Sequence, residues 1–160
     1  LEGLAPTTAI RLEQLVTKHF MKIADVRFKD GSIHLRPDSP PQIVYENGKP
    51  PALLEVMSGF ESRSFGIAFS LALAEITKRR VPLVIDTPLG NGDSAYRPRM
   101  LKALAEFDLD QVIILTHDEE VHQELYDGIK KYVNQTFLLE FDAKLGKTQV
   151  NPDKFFGRMK

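Results

Sequence analysis

Two short stretches decide the fold: residues 82–93 are PLVIDTPLGNGD, and residues 111–118 are QVIILTHD. Each contains an apolar run rich in β-branched residues, with the length of a buried strand, and each run ends in polar residues. Between them we predict a helix over 98–106. A strand, a helix and a second strand in this order are typical of a parallel pair with a crossover helix. We therefore predict an α/β fold with a mainly parallel sheet and flanking helices.

The neighbouring segments continue this alternation. Residues 61–79 are apolar nearly all round, which predicts a central, buried helix. We predict a further helix over 118–132 and a strand over 136–141. The helix over 98–106 is expected to begin at Pro98, because proline breaks a helix interior but fits a first turn.

The first third of the chain has a different pattern. Residues 9–24 carry apolar side chains at spacings of three and four, which predicts an amphipathic helix. Residues 25–51 contain short runs of β-branched and aromatic residues separated by turn residues, which predicts a small antiparallel meander. The runs are 26–28, 33–35 and 43–45. The pair Asp30–Gly31 is the strongest hairpin signal in the chain.

The composition limits the class of protein. With 160 residues, 42% of them hydrophobic and 27% charged, the chain can form one compact domain with its own core. Its 21 basic and 22 acidic residues give a net charge of -1, so no overall basic field attracts nucleic acid. The absence of cysteine excludes disulfides, zinc–thiolate sites and cysteine nucleophiles. The longest apolar run, residues 65–74, has about half of the roughly 20 residues that a membrane span needs. We therefore expect a soluble, cytoplasmic protein without a membrane partner.

Both ends of the chain lead to an expectation. The sequence begins with Leu1 rather than Met, so we expect it to be a piece of a longer protein. Residues 142–160 form a basic tail with five basic and two acidic residues. Such a tail is typical of a solvated terminus, and a DNA or partner contact is the alternative.

Ser58 and Gly59 come directly before the predicted buried helix. A helix N-terminus offers free backbone N–H groups and the positive end of the helix dipole, with which proteins bind phosphate. The same segment, with Glu61 three positions after Ser58, also fits an ordinary N-terminal cap. Both interpretations are open from the sequence.

Polar side chains follow both apolar strands. Asp86 is predicted at the carboxyl end of a parallel strand, where α/β sheets bind ligands and a carboxylate holds Mg²⁺, usually through water. An aspartate that caps the turn is the alternative. His117 ends the second run and can hydrogen-bond a γ-phosphate or an attacking water, although a helix cap or surface histidine fits the same position.

Taken in order, these motifs resemble the C-terminal lobe of an ABC-type ATPase head of the SMC and double-strand-break-repair class, over about residues 8–141. By this resemblance residues 58–61 are the ABC signature motif, residues 84–86 the Walker B strand, residues 90–93 the D-loop and His117 the switch histidine. Residues 86–90, DTPLG, are closest in wording to the ATPase of the bacterial DNA phosphorothioation (Dnd) system.

The resemblance implies roles for the motif residues. The expected catalytic residues are Asp86, Thr87 and His117, with Asp86 ordering Mg²⁺ through water. The expected nucleotide-binding residues are Ser58, Gly59, Glu61, Asn91 and Asp93. Ser58 and Gly59 would bind the γ-phosphate of a nucleotide held by a second head, whereas Asp86 and His117 act on their own head's nucleotide. The implied cofactors are ATP and Mg²⁺.

The resemblance also implies a domain organisation and partners. Residues 1–24 would end a long antiparallel coiled coil, residues 25–141 would form the ATPase lobe, and residues 142–160 the basic tail. The implied partners are the protein's own N-terminal P-loop lobe, a second head in a homodimer, DNA, and other subunits of a DNA-processing complex. The implied function is ATP binding and hydrolysis at a composite head-dimer site, coupled to DNA repair, modification or restriction.

Three features depart from this pattern. Thr87 stands where most such heads have a glutamate that polarises the attacking water, and a hydroxyl is a poor general base near neutral pH. Phe60 replaces the second glycine of the signature and adds bulk near the expected phosphate path. A P-loop is missing from the sequence, since the nearest match, Gly146–Thr148, has Phe141 in place of the first glycine and no predicted helix after it. The P-loop lobe is therefore expected to be absent from this chain, and the isolated chain to be inactive.

Two other classes of protein are open. A catalytically degenerate interaction module would bind a partner through the acidic stretch 103–127 or an exposed sheet edge, and would dimerise with ATP without turnover. An unrelated Mg²⁺-dependent phosphoryl-transfer domain would use Asp86 and Asp93 and would bind Mg²⁺ without a second lobe.

Overall fold

The computed structural model describes residues 6–24, 28–49, 51–53, 57–78, 82–90, 92–107 and 109–155. The helices are α1 (Pro6–Ile23), α2 (Gly59–Thr77), α3 (Tyr96–Ala105) and α4 (Gln123–Ile129), which continues as a 3-10 turn at Lys130–Tyr132. The strands are β1 (Gly31–Arg36), β2 (Ser39–Tyr45), β3 (Ala52–Leu53), β4 (Leu83–Asp86), β5 (Val112–Leu115), β6 (Phe137–Asp142) and β7 (Lys147–Pro152).

The first part of the chain is a helix packed on an antiparallel sheet of order β1-β2-β3. Val16 and Phe20 from the apolar stripe of α1 are fully buried and share a core with Ile33 and Ile43 of the sheet. The amphipathic helix and the meander are therefore confirmed. Of the predicted run 26–28, the first two residues lie outside the described part of the chain, and the third is in a turn.

The β1–β2 turn does not lie at the predicted position. Arg36 pairs with Ser39, so the connecting turn is Pro37–Asp38. Asp30 adopts φ 67° and leads the chain into β1. The prediction that Asp30–Gly31 forms the turn of this hairpin is wrong, because Gly31 already belongs to β1 and Asp30 uses the left-handed conformation directly before it.

Helix α2 lies between two cores, as its apolar composition predicts. Ala68 and Ala72 face the core that contains α1, whereas Phe60 and Ile67 belong to a second core with β4 and α3. The helix begins at Gly59, two residues earlier than predicted, and ends at Thr77, followed by Lys78 as its left-handed cap with φ 52°.

Strands β4 and β5 pair in parallel, from Leu83 opposite Val112 to Asp86 opposite Leu115. Helix α3 forms the predicted crossover, but it begins at Tyr96 and not at Pro98. The predicted start is wrong because no N–H group of the first turn has an intrahelical partner, so proline is tolerated at the third helical position as well as the first.

The C-terminal part differs most from the sequence prediction. The predicted strand over 136–141 is β6, but it pairs antiparallel with β7. Within the predicted basic tail, residues 147–152 form a regular strand, β7, whose residues are exposed except for the half-buried Asn151. Gly146–Thr148 lies in the turn and strand of this hairpin, so no helix follows it as a P-loop requires. The predicted helix over 118–132 is shorter, because its first five residues form turns instead.

Over the described ranges, none of the helices combines the length and apolar character required to cross a membrane.

Candidate functional site

A reciprocal cap fixes the N-terminus of α2. Ser58 Oγ accepts a hydrogen bond from Glu61 N at 3.4 Å, and Glu61 Oε2 accepts one from Ser58 N at 2.9 Å. The Glu61 side chain is buried, whereas Ser58 and Gly59 are exposed, and a Cβ added to Gly59 would meet nothing within 4 Å. The helix N-terminus is therefore open to an anion. The predicted cap is confirmed, and Glu61 holds it from inside the protein.

The side chain of Phe60 turns into the core. It is 4% exposed, and its ring lies 3.6 Å from the Tyr96 ring between centroids in an edge-to-face arrangement. A Cβ added to Gly92 would lie 2.8 Å from a ring carbon of Phe60. The expectation that Phe60 adds bulk near the phosphate path is therefore wrong, because burial of the ring against Gly92 and Tyr96 directs it away from the exposed helix N-terminus.

Asp86, Thr87 and His117 lie at the edge where both parallel strands end. Asp86 is exposed and stands opposite Leu115, and His117, also exposed, follows two residues after Leu115. Thr87 adopts φ 46° and donates its N–H to Leu115 O at 2.9 Å. A positive φ is uncommon for a β-branched residue, so the chain leaves β4 through a strained residue.

Arg63 connects α2 to the loop that follows β4. One of its guanidinium nitrogens donates to Thr87 O at 2.8 Å and to Gly90 O at 3.0 Å. The loop also closes on itself, since Gly90 N donates to Thr87 O and Gly92 N to Leu89 O. The helix that carries Ser58 is thus tied directly to the residues after Asp86.

A buried carboxylate connects the same loop to the turn that carries His117. Glu120 is 2% exposed; its Oε2 accepts a hydrogen bond from Thr116 Oγ1 at 2.8 Å, and its Oε1 accepts one from Leu89 N. The backbone carbonyl of His117 accepts the N–H groups of Glu120 and Val121, each at 3.0 Å. The turn after β5 and the loop after β4 are therefore held together by one side chain.

Asp93 caps α3. Its Oδ1 accepts hydrogen bonds from Ala95 N at 3.0 Å and from Tyr96 N at 2.9 Å. Arg97 adds a link from α3, because its Nε donates to Gly92 O at 3.0 Å and its Nη1 to Glu119 O at 3.3 Å. Asn91, expected to contact the nucleotide, lies outside the described residues.

Arg63 and Glu120 are the residues that sequence reasoning missed. Arg63 stands two positions after the signature-like residues and is the one basic residue within α2, which was its only signal. Glu120 follows two other acidic residues, Asp118 and Glu119, and nothing in the sequence distinguishes the buried one from its exposed neighbours.

The motif residues do not enclose a site by themselves. A groove of about 800 Å³ lies between α3 and α4, and neither Ser58 nor Asp86 nor His117 lines it. Over the part of the chain that the structure describes, no three His, Asp or Glu side chains are grouped closely enough to hold a metal ion.

Solved structures of SMC-type ATPase heads have a similar fold. A structure from work on ATP-driven dimerization and DNA-stimulated activation of SMC ATPases superposes with a TM-score of 0.64 at 19% identity, over 91% of this chain and 85% of that chain. The SMC head domain of Thermotoga maritima gives a TM-score of 0.60 at 19% identity, over 91% of this chain and 48% of that one. An SMC head bound to the C-terminal winged-helix domain of ScpA gives 0.64 at 16% identity, over 91% and 43%. The chain has the α/β fold of part of an SMC-type ATPase head.

Sequence similarity points to one relative within that class. A stretch of 71 residues is 39% identical to the DNA double-strand break repair Rad50 ATPase of Methanopyrus kandleri, which amounts to 41% of this chain and 8% of that protein. The chain thus spans less than a tenth of the relative's length. No family model matches the chain. Fold and sequence together support an SMC/Rad50-like ATPase head.

Proposed function

We propose that the chain is the C-terminal lobe of an SMC-like ATPase, which binds and hydrolyses ATP with Mg²⁺ at a site shared between two heads. The observation that carries the proposal is the common edge of Asp86, Thr87 and His117, linked through Arg63 to the helix that begins at Gly59. Strand-end carboxylates and helix N-termini are the two devices with which α/β proteins hold nucleotide phosphates and Mg²⁺.

Each group has a distinct task in this proposal. Asp86 orders Mg²⁺ through water, and His117 hydrogen-bonds the γ-phosphate of the nucleotide on its own head. Ser58 and Gly59 contact the γ-phosphate of the nucleotide on the partner head. The D-loop residues Asn91 and Asp93 couple the two heads across the dimer. Glu61 supports the phosphate contact indirectly, because it holds the cap at Ser58.

An uncovered sheet face supports a missing second lobe. Val84 and Ile113 lie opposite each other in the β4–β5 ladder and are 55% and 37% exposed, and Leu115 on the same face is 45% exposed. Parallel sheets are normally covered on both faces and contain more than two strands. An N-terminal lobe that carries the P-loop would supply the missing strands and cover this face.

Thr87 determines how fast such a site can work. A threonine hydroxyl cannot act as an effective general base near neutral pH, so catalysis depends on positioning and electrostatic stabilisation. We therefore propose slow hydrolysis.

The proposed biological role is DNA repair, modification or restriction. It is supported by the similarity to a DNA double-strand break repair protein and by the structural likeness to SMC ATPases described as DNA-stimulated. Residues 86–90 support the Dnd phosphorothioation system as the particular setting. Further subunits are proposed by analogy with the SMC head bound to ScpA.

The test restores the missing lobe. The N-terminal P-loop lobe is joined to this chain by a short linker in place of the coiled coil, and Mg²⁺-dependent ATP turnover is measured. We expect slow turnover that Asp86→Asn lowers by about 100-fold or more, because the variant weakens the Mg²⁺ site. The matched control is Asp127→Asn, which removes an exposed carboxylate on α4.

The outcomes separate the candidate functions. Turnover that survives Asp86→Asn, or a complete head that neither dimerises with ATP nor hydrolyses it, contradicts the proposal. ATP-dependent dimerisation without turnover favours the second candidate, a binding switch that lacks catalysis; Thr87 in the glutamate position is the observation that favours it.

A further inference from the structure

The loop over residues 87–93, which follows Asp86, is held by side chains from three different elements. Arg63 binds it from α2, Glu120 binds it from the turn that carries His117, and Arg97 binds it from α3. Every one of these contacts is to a backbone N–H or carbonyl group of the loop. They therefore constrain where the loop lies irrespective of its side chains.

Arg63 is suited to this task by its shape. Its Nη1 reaches two carbonyl oxygens, those of Thr87 and Gly90, at 2.8 and 3.0 Å. A Cβ added to Gly90 would lie 3.1 Å from this nitrogen, so the glycine permits the close approach. Lysine carries a compact ammonium on a flexible stem and cannot reproduce the planar guanidinium at the same place.

The burial of Glu120 makes this side chain suited to holding the loop in place. Each of its carboxylate oxygens accepts a hydrogen bond, one from the N–H of Leu89 and the other from the hydroxyl of Thr116. A carboxylate that is 2% exposed is costly to bury unless such bonds are made, so its position is well determined.

We propose that Arg63 and Glu120 are positioning residues for the ATPase reaction. They hold the 87–93 loop between the N-terminus of α2 and the His117 turn. Ser58 and Gly59, which contact the partner head's nucleotide, then keep a fixed position relative to Asp86 and His117. The latter two residues act on the head's own nucleotide. This inference rests on the proposed function; both side chains bind protein groups and touch no nucleotide.

The test uses the complete protein with both lobes. The variants are Arg63→Lys, Arg63→Met, Glu120→Ala and Thr116→Val, of which the last removes one hydroxyl while keeping the side-chain shape. We expect kcat to fall by about tenfold or more while the KM for ATP changes by less than about twofold, because displaced catalytic groups slow the reaction without removing the P-loop contacts. Thr116→Val keeps the test valid if Glu120→Ala does not fold.

A conservative variant and a neighbour provide the controls. Glu120→Gln keeps an oxygen for the Leu89 N–H and offers an amide N–H to Thr116, so it should retain kcat to within about threefold. Glu119→Gln changes the adjacent exposed carboxylate and should leave kcat unchanged. Because Arg63 and Glu120 act on one loop, the double variant Arg63→Met/Thr116→Val should lose less than the product of the single losses.

The failures of the two proposals are distinguishable. If the wild-type protein neither hydrolyses ATP nor dimerises with it, the proposed function fails. If the wild type is active but the folded variants keep kcat within about twofold, the positioning role alone is overturned. The positioning role is also overturned if the variants lose kcat in proportion to their loss of thermal stability and the kcat of Glu120→Gln is no higher than that of Glu120→Ala. If the wild type dimerises with ATP but does not hydrolyse it, wild type and variants are compared by the ATP concentration at half-maximal dimerisation. We expect the variants to raise this concentration by about tenfold.

Discussion

Gly92, in the loop after β4, packs tightly against Phe60 in the first turn of α2. An added Cβ would lie 2.8 and 2.9 Å from two ring carbons of Phe60 and 3.1 Å from Leu89 O. The Phe60 ring is already packed against Tyr96, so it has little room to move away. Phe60 and Gly92 therefore form a matched pair in this chain.

We predict that Gly92→Ala destabilises the chain by about 1–3 kcal/mol, the usual cost of overpacking a core. The measurement is the free energy of unfolding in urea. Combining Gly92→Ala with Phe60→Leu should cost less than the sum of the two single changes, because the smaller side chain makes room for the methyl group.

Gly66→Ala is the matched control for this prediction. It lies within α2, and a Cβ there would meet nothing within 4 Å. Alanine should therefore stabilise the helix by about 0.5–1 kcal/mol. A cost below about 0.5 kcal/mol for Gly92→Ala would contradict the tight contact with Phe60.

At the scale of elements, α1 and α2 are joined by a buried histidine. His19 on α1 is 6% exposed, and its Nε2 donates to Glu75 Oε2 on α2 at 3.0 Å. Its Nδ1 has no hydrogen-bond partner among the described residues. Burial lowers the pKa of His19 below its usual 6.5, assisted by the charges of Lys18 and Lys22 and opposed by Glu75.

This lowered pKa makes the α1–α2 contact sensitive to pH. Below pH 6.5 the unfolded chain binds a proton on this histidine before the folded chain does, so stability falls as the pH drops through 6.5 toward the folded-state pKa. Burial raises the pKa of Glu75, but the bond from His19 and the charge of Lys18 outweigh it and lower the pKa overall. The contribution of Glu75 is therefore lost only below pH 4.5, in a separate window.

We predict that the free energy of unfolding decreases between pH 7.5 and 5.5 and that His19→Gln makes this slope shallower. Glutamine can still donate to Glu75 but does not titrate. Denaturant unfolding at several pH values measures the slope, and His122→Gln, at an exposed histidine, is the control for the loss of an imidazole. An unchanged slope in His19→Gln would contradict the assigned role of His19.

Elements with strong periodicity or composition were predictable from the sequence. The stripe of α1, the apolar α2 and the two runs that became β4 and β5 needed no tertiary information. The antiparallel pairing of β6 was not predictable, because its partner β7 is a polar sequence, KTQVNP, without an apolar run. The hairpin turn was misplaced because Asp30–Gly31 is a common turn pair that here introduces a strand.

The candidate site was predictable where it depends on strand ends and helix starts. Ser58, Asp86 and His117 follow from those rules together with the order of the motifs. Arg63 and Glu120 were not predictable, because their roles depend on contacts across 24 to 31 positions of the chain with backbone groups that any residue provides.

At the scale of the whole molecule, the described residues form two cores, but Ser58, Asp86 and His117 do not line a common cavity among them. Among the described residues, one hydrophobic cluster lies on either side of α2, whereas Ser58, Asp86, His117 and one face of β4–β5 are exposed. One face of the β6–β7 hairpin is also apolar and open, with Phe137, Leu139 and Val150 each more than half exposed. Exposed apolar area of this kind marks surfaces that other protein covers. These exposed surfaces agree with the proposal that the chain supplies half of a composite ATP site.

Titration calorimetry with Mg²⁺-ATP, on the isolated chain and on the same chain joined to its P-loop lobe, tests this proposal. We predict no detectable binding to the isolated chain, whose phosphate contacts are few and exposed, and saturable binding to the joined protein. Micromolar affinity of the isolated chain for ATP would contradict it.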